Sequence, residues 1–158
     1  MDDVWDLLAA ARGQRLNAVD GLVYTPAGTD ASACDHISQV MLTIGIVPFR
    51  FRCASDGETI DIGVVDQLIS VDMGTCGRLQ CCNLSEHARF EKVVTATLTQ
   101  VQVATREGRR IGIVLEFPSQ CLVICNWGDD LRIWDHVPEA LFVDDNVLVK
   151  PLTDWRGQ

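Results

Sequence analysis

Cys76, Cys81, Cys82 and His87 fall within a dozen positions and carry the side chains that hold metal ions. Zinc in closed tetrahedral sites takes such thiolates and imidazoles, paired as C-x2-C or at similarly short spacing. Here the spacing is C-x4-C-C, and adjacent cysteines do not easily reach one ion. The plainer reading is a glycine-rich stretch with partly buried thiols, so no metal or cofactor is expected. A cysteine nucleophile would need His36, His87 or His136 beside it in space. No local signature surrounds any cysteine, and Cys34 and His36, two positions apart, make a poor pair. Free cysteine more often serves as a small buried hydrophobe. "MGTCGR" lacks the spacing and the lysine of a phosphate loop, and no G-x-S-x-G elbow occurs.

Carboxylates are the other chemistry-bearing group. Asp129, Asp130 and Asp135 stand in or beside "CLVICNWGDDLRIWDH" (121–136), and Asp144 and Asp145 follow shortly after. Glycoside hydrolysis needs two carboxyls facing each other across a cleft, which neighbours in one turn do not provide. Gly128 and Asp129 instead suit a type I or I′ turn. Trp127 stands at that turn, and Trp134 lies near the end of the following strand. Exposed aromatics beside acids serve as interface anchors. The bland alternative is that both tryptophans close the open end of a β core. The candidate partner-binding set is therefore Trp127, Asp129, Asp130, Asp135, Asp144 and Asp145.

Elements to position these residues can be read from the pattern. Asp2 or Asp3 caps a short helix with Trp5, Leu8 and Ala9 on one stripe, stopping near Gly13. "LNAVDGLVY" is a short strand, and 25–35 is a loop of turn formers. "ISQVMLTIGIV" alternates. "PFRFRCAS" sets Phe49 and Phe51 on one face and Arg50 and Arg52 on the other. Asp56-Gly57 turns the chain into "TIDIGVVD", where Ile60 and Ile62 oppose Thr59 and Asp61. Residues 66–90 have no stable period and read as an irregular connection. From Glu91 to His136 the sequence predicts a four-stranded meander, beginning with "EKVVTATLTQVQVAT" and turning at Gly108. "CLVIC" is apolar on both sides: Cys121, Val123 and Cys125 share one face, and Leu122 and Ile124 the other. "NVLVKPL" is a strand that Pro151 confines to an edge. The expected fold is α+β and β-rich, an antiparallel meander sheet with a short N-terminal helix in a single domain over 1–158.

Composition narrows the function classes. A chain of 158 residues with 47% apolar content can fold around one core. Acidic residues outnumber basic ones, 22 to 13, for a net charge of -9. This disfavours direct nucleic-acid binding, which needs a positive footprint, and suits capture of a basic partner. The acidic start "MDDVWDLL" lacks the cationic region of a signal peptide, and no apolar run is long enough for a membrane span. With seven cysteines, an odd number, the expectation is a cytoplasmic protein with reduced thiols.

The meander "VVTATLTQVQVATREGRRIGIVLEF" followed by "CLVICNWGDDLRIWDHVPEAL" resembles small bacterial immunity proteins of polymorphic toxin systems. The resemblance covers about a third of the chain and includes no catalytic motif. It implies a cytosolic, non-enzymatic inhibitor that neutralises a cognate toxin, with the acidic charge suited to a basic one. Two other readings stand beside it. One is a metal-binding or enzymatic domain built on Cys76–His87, and the other is a structural subunit that dimerises through an edge strand.

Overall fold

The computed structural model describes residues 3–28 and 36–152. Most of the expected 25–35 loop, Cys34 included, is outside that range, as is Asp2. The first helix, α1 (Val4–Ala10), starts where expected: Asp3 is its N-cap, and its carboxylate accepts from the Trp5 amide at 3.3 Å. Leu8 is fully buried, with Val4, Trp5 and Leu7 packed around the same core.

Among the described residues, eleven strands form two antiparallel sheets. The first contains β1 (Leu16–Thr25), β2 (Ile37–Ile44), β3 (Val47–Cys53), β4 (Ile60–Val64), β5 (Val71–Asp72) and β6 (Arg78–Asn83), in the order β4-β3-β2-β1-β6-β5. The second contains β7 (Gln100–Arg106), β8 (Arg109–Glu116), β9 (Cys121–Trp127), β10 (Asp130–Trp134) and β11 (Val147–Pro151), in the order β10-β9-β8-β7-β11. The expected β-rich α+β class therefore holds, with its antiparallel strands divided between two layers. Alternation places Phe49, Phe51, Ile60 and Ile62 inward, opposite Ile113, Leu115, Leu122 and Ile124. The sheets meet chiefly where β4 faces β8, β3 faces β9, and β10 faces β2 and β3.

Three segments depart from the sequence reading. The meander begins at Gln100, not Glu91, because Phe90, Val93 and Leu98 are drawn into the core as an irregular cover beside β1. Two bonds tie this cover to the start of β1: the Thr95 amide donates to the Leu16 carbonyl at 2.7 Å, and the Leu16 amide to Ala96 at 3.0 Å. Residues 66–90 are less irregular than expected, since β6 runs antiparallel along β1 from Asp20↔Asn83 to Thr25↔Arg78. A second helix, α2 (Glu139–Asp144), packs Phe142 onto the outer face of the second sheet. There it meets Val123 and Cys125, so β9 is buried on both faces as "CLVIC" requires. β11 is an edge strand, with Pro151 at its end.

Candidate binding surface

The turn at "WGDD" joins β9 to β10. Trp127 pairs with Asp130, and both loop residues, Gly128 (φ 63°) and Asp129 (φ 66°), have the positive φ of a type I′ hairpin. Aspartate tolerates this conformation better than most residues, and the turn leaves its side chain exposed. A second turn comes to the same end from the other sheet. In the β3–β4 connection, the Asp56 carboxylate accepts from the amides of Glu58 and Thr59, each at 2.8 Å, and from the Thr59 hydroxyl at 2.6 Å. These bonds hold its carboxyl down at about 2.

Asn126 locks the two turns together. It is fully buried, its Nδ2 donates to the Thr59 carbonyl at 3.0 Å, and its Oδ1 accepts from the Asp129 amide at 2.9 Å. A Cβ on Gly57 would stand 3.9 Å from the Asp129 carboxyl carbon, so the turns nearly touch. Asp56, Glu58, Asp129 and Asp130 thus gather at one end of the sandwich. Part of this charge is answered: Glu58 is ion-paired with Arg109, and Asp130 with Arg132 at 3.5 Å. Asp129 has no ion pair among the described residues. Burial, and then the Asp129 and Asp130 carboxylates, push the nearby Cys53 thiol up to about 11.

The other candidate residues divide. Trp127 is half-buried and stacks on Phe142 with ring centroids 5.9 Å apart, while Trp134 meets both rings edge-on. The two tryptophans therefore pack beneath α2 on the outer face of the second sheet, rather than closing an open end of the β core. Arg106 lies 5.6 Å over the Trp127 ring and pairs with Asp145 at 3.5 Å, which links the helix end to the turn. Asp144 is exposed beside it. Asp135 stands past the opposite end of β10, roughly 16 Å from Asp130 at strand rise, and is bonded to His136 at 2.8 Å. That bond lowers its carboxyl below the usual range. The set thus separates into an Asp129–Asp130 centre, an Asp144–Asp145 flank and a remote Asp135.

The cysteine stretch does not assemble a site. Cys81 and Cys82 point to opposite faces of β6, Cys81 exposed and Cys82 half-buried against the main core. Cys76 is exposed, in the turn before β6, and the Tyr24 hydroxyl donates to its carbonyl at 2.8 Å. His87 packs on Phe90, and its Nδ1 accepts from the Arg89 amide at 3.2 Å. Among the described residues, no three His, Cys, Asp or Glu side chains are grouped to hold a metal ion. Nor is any helix there long and apolar enough to cross a membrane.

Sequence reading missed Asn126 and the contribution of Asp56 and Glu58. The signal for Asn126 is a single amide at the end of an apolar run, where burial demands partners. Asp56 and Glu58 were legible as a turn, but their placement beside Asp129 depends on the facing of the two sheets. Compared with family models, curated proteins and solved structures, the chain matches none.

Proposed function

We propose that this protein works by binding, presenting the acidic end to a basic protein partner. In the fuller form of this reading the partner is a toxin domain that the protein occludes, as the resemblance of the meander implies. One observation carries the proposal: Asp129, in a two-residue turn, and Asp130, which follows it at the start of β10, are joined through buried Asn126 to the Asp56–Glu58 turn of the other sheet. Carboxylates fixed by backbone geometry lose little freedom on binding, and a single-sign cluster steers a basic partner to the site. Asp129 contacts the partner first, and Asp130, Asp144 and Asp145 form the surrounding field.

The test is co-expression with the product of the adjacent gene, scored by growth and by isolation of a stoichiometric complex. The expected result is rescued growth and a complex whose association slows as salt rises. Asp129→Lys with Asp130→Lys should slow association at least tenfold. A complex that forms equally well with that double variant would remove the surface from the proposal. A failure to rescue growth, with no complex, would remove the toxin-inhibitor reading.

A further inference from the structure

A second concavity lies away from the acidic end, on the outer face of the six-stranded sheet. The segment after β4 crosses back over that face and buries Leu68 against Leu22 and Met41. It leaves an open cleft of about 580 Å³ with a mixed polar and apolar lining, a volume within the range of small-molecule sites. Leu22, Val65, Ile69 and Leu79 are among its apolar walls, and Arg50 and Arg52 enter it from β3.

The two arginines are not evenly served. Both share one carboxylate, Asp61: Arg52 Nε donates to it at 2.7 Å, whereas Arg50 Nη2 stands at 3.4 Å. Arg50 Nε is buried without an acceptor among the described residues. A guanidinium stays charged, so an orphaned donor on it cannot be relieved by losing a proton. Asp66 also lines the cleft, but it is exposed and makes no ion pair with either arginine among the described residues. Gly63 lies beneath Arg50, where a Cβ would come within 3.0 Å of Nη2, so the bare backbone gives the guanidinium its room.

We propose that this cleft binds a small organic carboxylate carried on an apolar chain. The chain lies along Leu22, Val65, Ile69 and Leu79. The carboxylate draws Arg50 off the shared Asp61 and accepts from its Nη2 and Nε in the paired geometry arginine offers. Asp61 stays with Arg52. The site is separate from the acidic end, so either proposal can fail alone.

Calorimetric titration of the full chain with octanoate, acetate and 1-octanol tests this. Octanoate should saturate at one per chain, with acetate and 1-octanol each weaker by about tenfold or more, since each lacks one half of the match. Arg50→Gln should weaken octanoate by a similar factor. Ile69→Ser, at an exposed position that the fold does not need, should weaken it severalfold with an unchanged circular dichroism spectrum. No saturable binding of octanoate, equal binding of 1-octanol, or Arg50→Gln binding octanoate like the parent would each overturn the proposal.

Discussion

Asn126→Ala should loosen the acidic end by a predictable amount. The side chain makes two hydrogen bonds, to the Thr59 carbonyl and from the Asp129 amide. Each is worth a net 0.5–1.5 kcal/mol or so, giving about 1–3 kcal/mol for the pair. Neither partner is left fully orphaned. The Thr59 carbonyl keeps a bond from the Ala54 amide at 2.9 Å, and Asp129 is exposed enough for water to reach its amide. The expected loss is therefore near the middle, about 2 kcal/mol, or about 4–8 °C in Tm for a chain of this size. Asn126→Asp should cost more at neutral pH, because it keeps the acceptor, loses the donor to Thr59 and adds a charge beside Asp129 and Asp130. Urea unfolding followed by tryptophan fluorescence measures the loss, and hydrogen exchange at the Asp129 amide localises it. If Asn126→Ala unfolds within about 0.5 kcal/mol of the parent, or that amide exchanges no faster, Asn126 does not join the two turns energetically.

Three further outcomes follow from particular residues. Asp56, held at about 2 against an ordinary 3.8, adds stability that is present above pH 4 and lost as pH falls towards 2. Asp56→Asn should therefore flatten the acid side of a plot of urea midpoint against pH, and an unchanged slope would refute the assignment. Burial pushes the Cys125 thiol up to about 12, so iodoacetamide at neutral pH should leave it unmodified in the folded chain while exposed Cys76 and Cys81 react. Mass mapping that finds Cys125 labelled first would contradict its burial under α2. Gly112 faces β9 so closely that a Cβ would fall on the Cys125 sulfur and the Ile124 carbonyl. Gly112→Ala should cost about 3 kcal/mol or more in thermal or urea unfolding, and a neutral substitution would mean that β8 and β9 can separate.

The sequence was most informative where a local rule acted alone. Asp3, Gly57, Gly108 and Gly128 marked turns or caps because each answers to its own backbone, and the Phe-Arg alternation of β3 gave its faces directly. It was misleading where one pattern suited two roles. Val93, Val94 and Thr95 look like a strand, but burial of Phe90, Val93 and Leu98 competes with pairing, and the segment folds over the core instead. β6 was hidden because "RLQCCN" has no alternation. Its partner, β1, is about sixty residues earlier, so nothing nearby announces the pairing. α2 carried a weak sign in Pro138 before "EALFVD", too short for a period to show. For the binding surface, the aspartates of one turn were legible as a group, but the company they keep was not. Asp135 looks close in sequence and stands at the other end of the strand, while Asp56 looks distant and is adjacent.

The connectivity of the two sheets bears on how the chain acquires its shape. β7 to β10 follow one another through short turns, so this layer closes mostly local loops. The first sheet is completed only when β6 returns to β1, after β2, β3 and β4 have been laid down on its other side. That closure spans most of the first half of the chain and is the slow step that topology imposes. Until it happens β1 carries an unpaired edge, the condition in which chains stick to one another. Refolding should therefore show a rapid phase from the consecutively paired strands and a slower phase from the β1–β6 closure. Substitutions along the β1–β6 seam would lower the yield of folded protein out of proportion to the stability they remove.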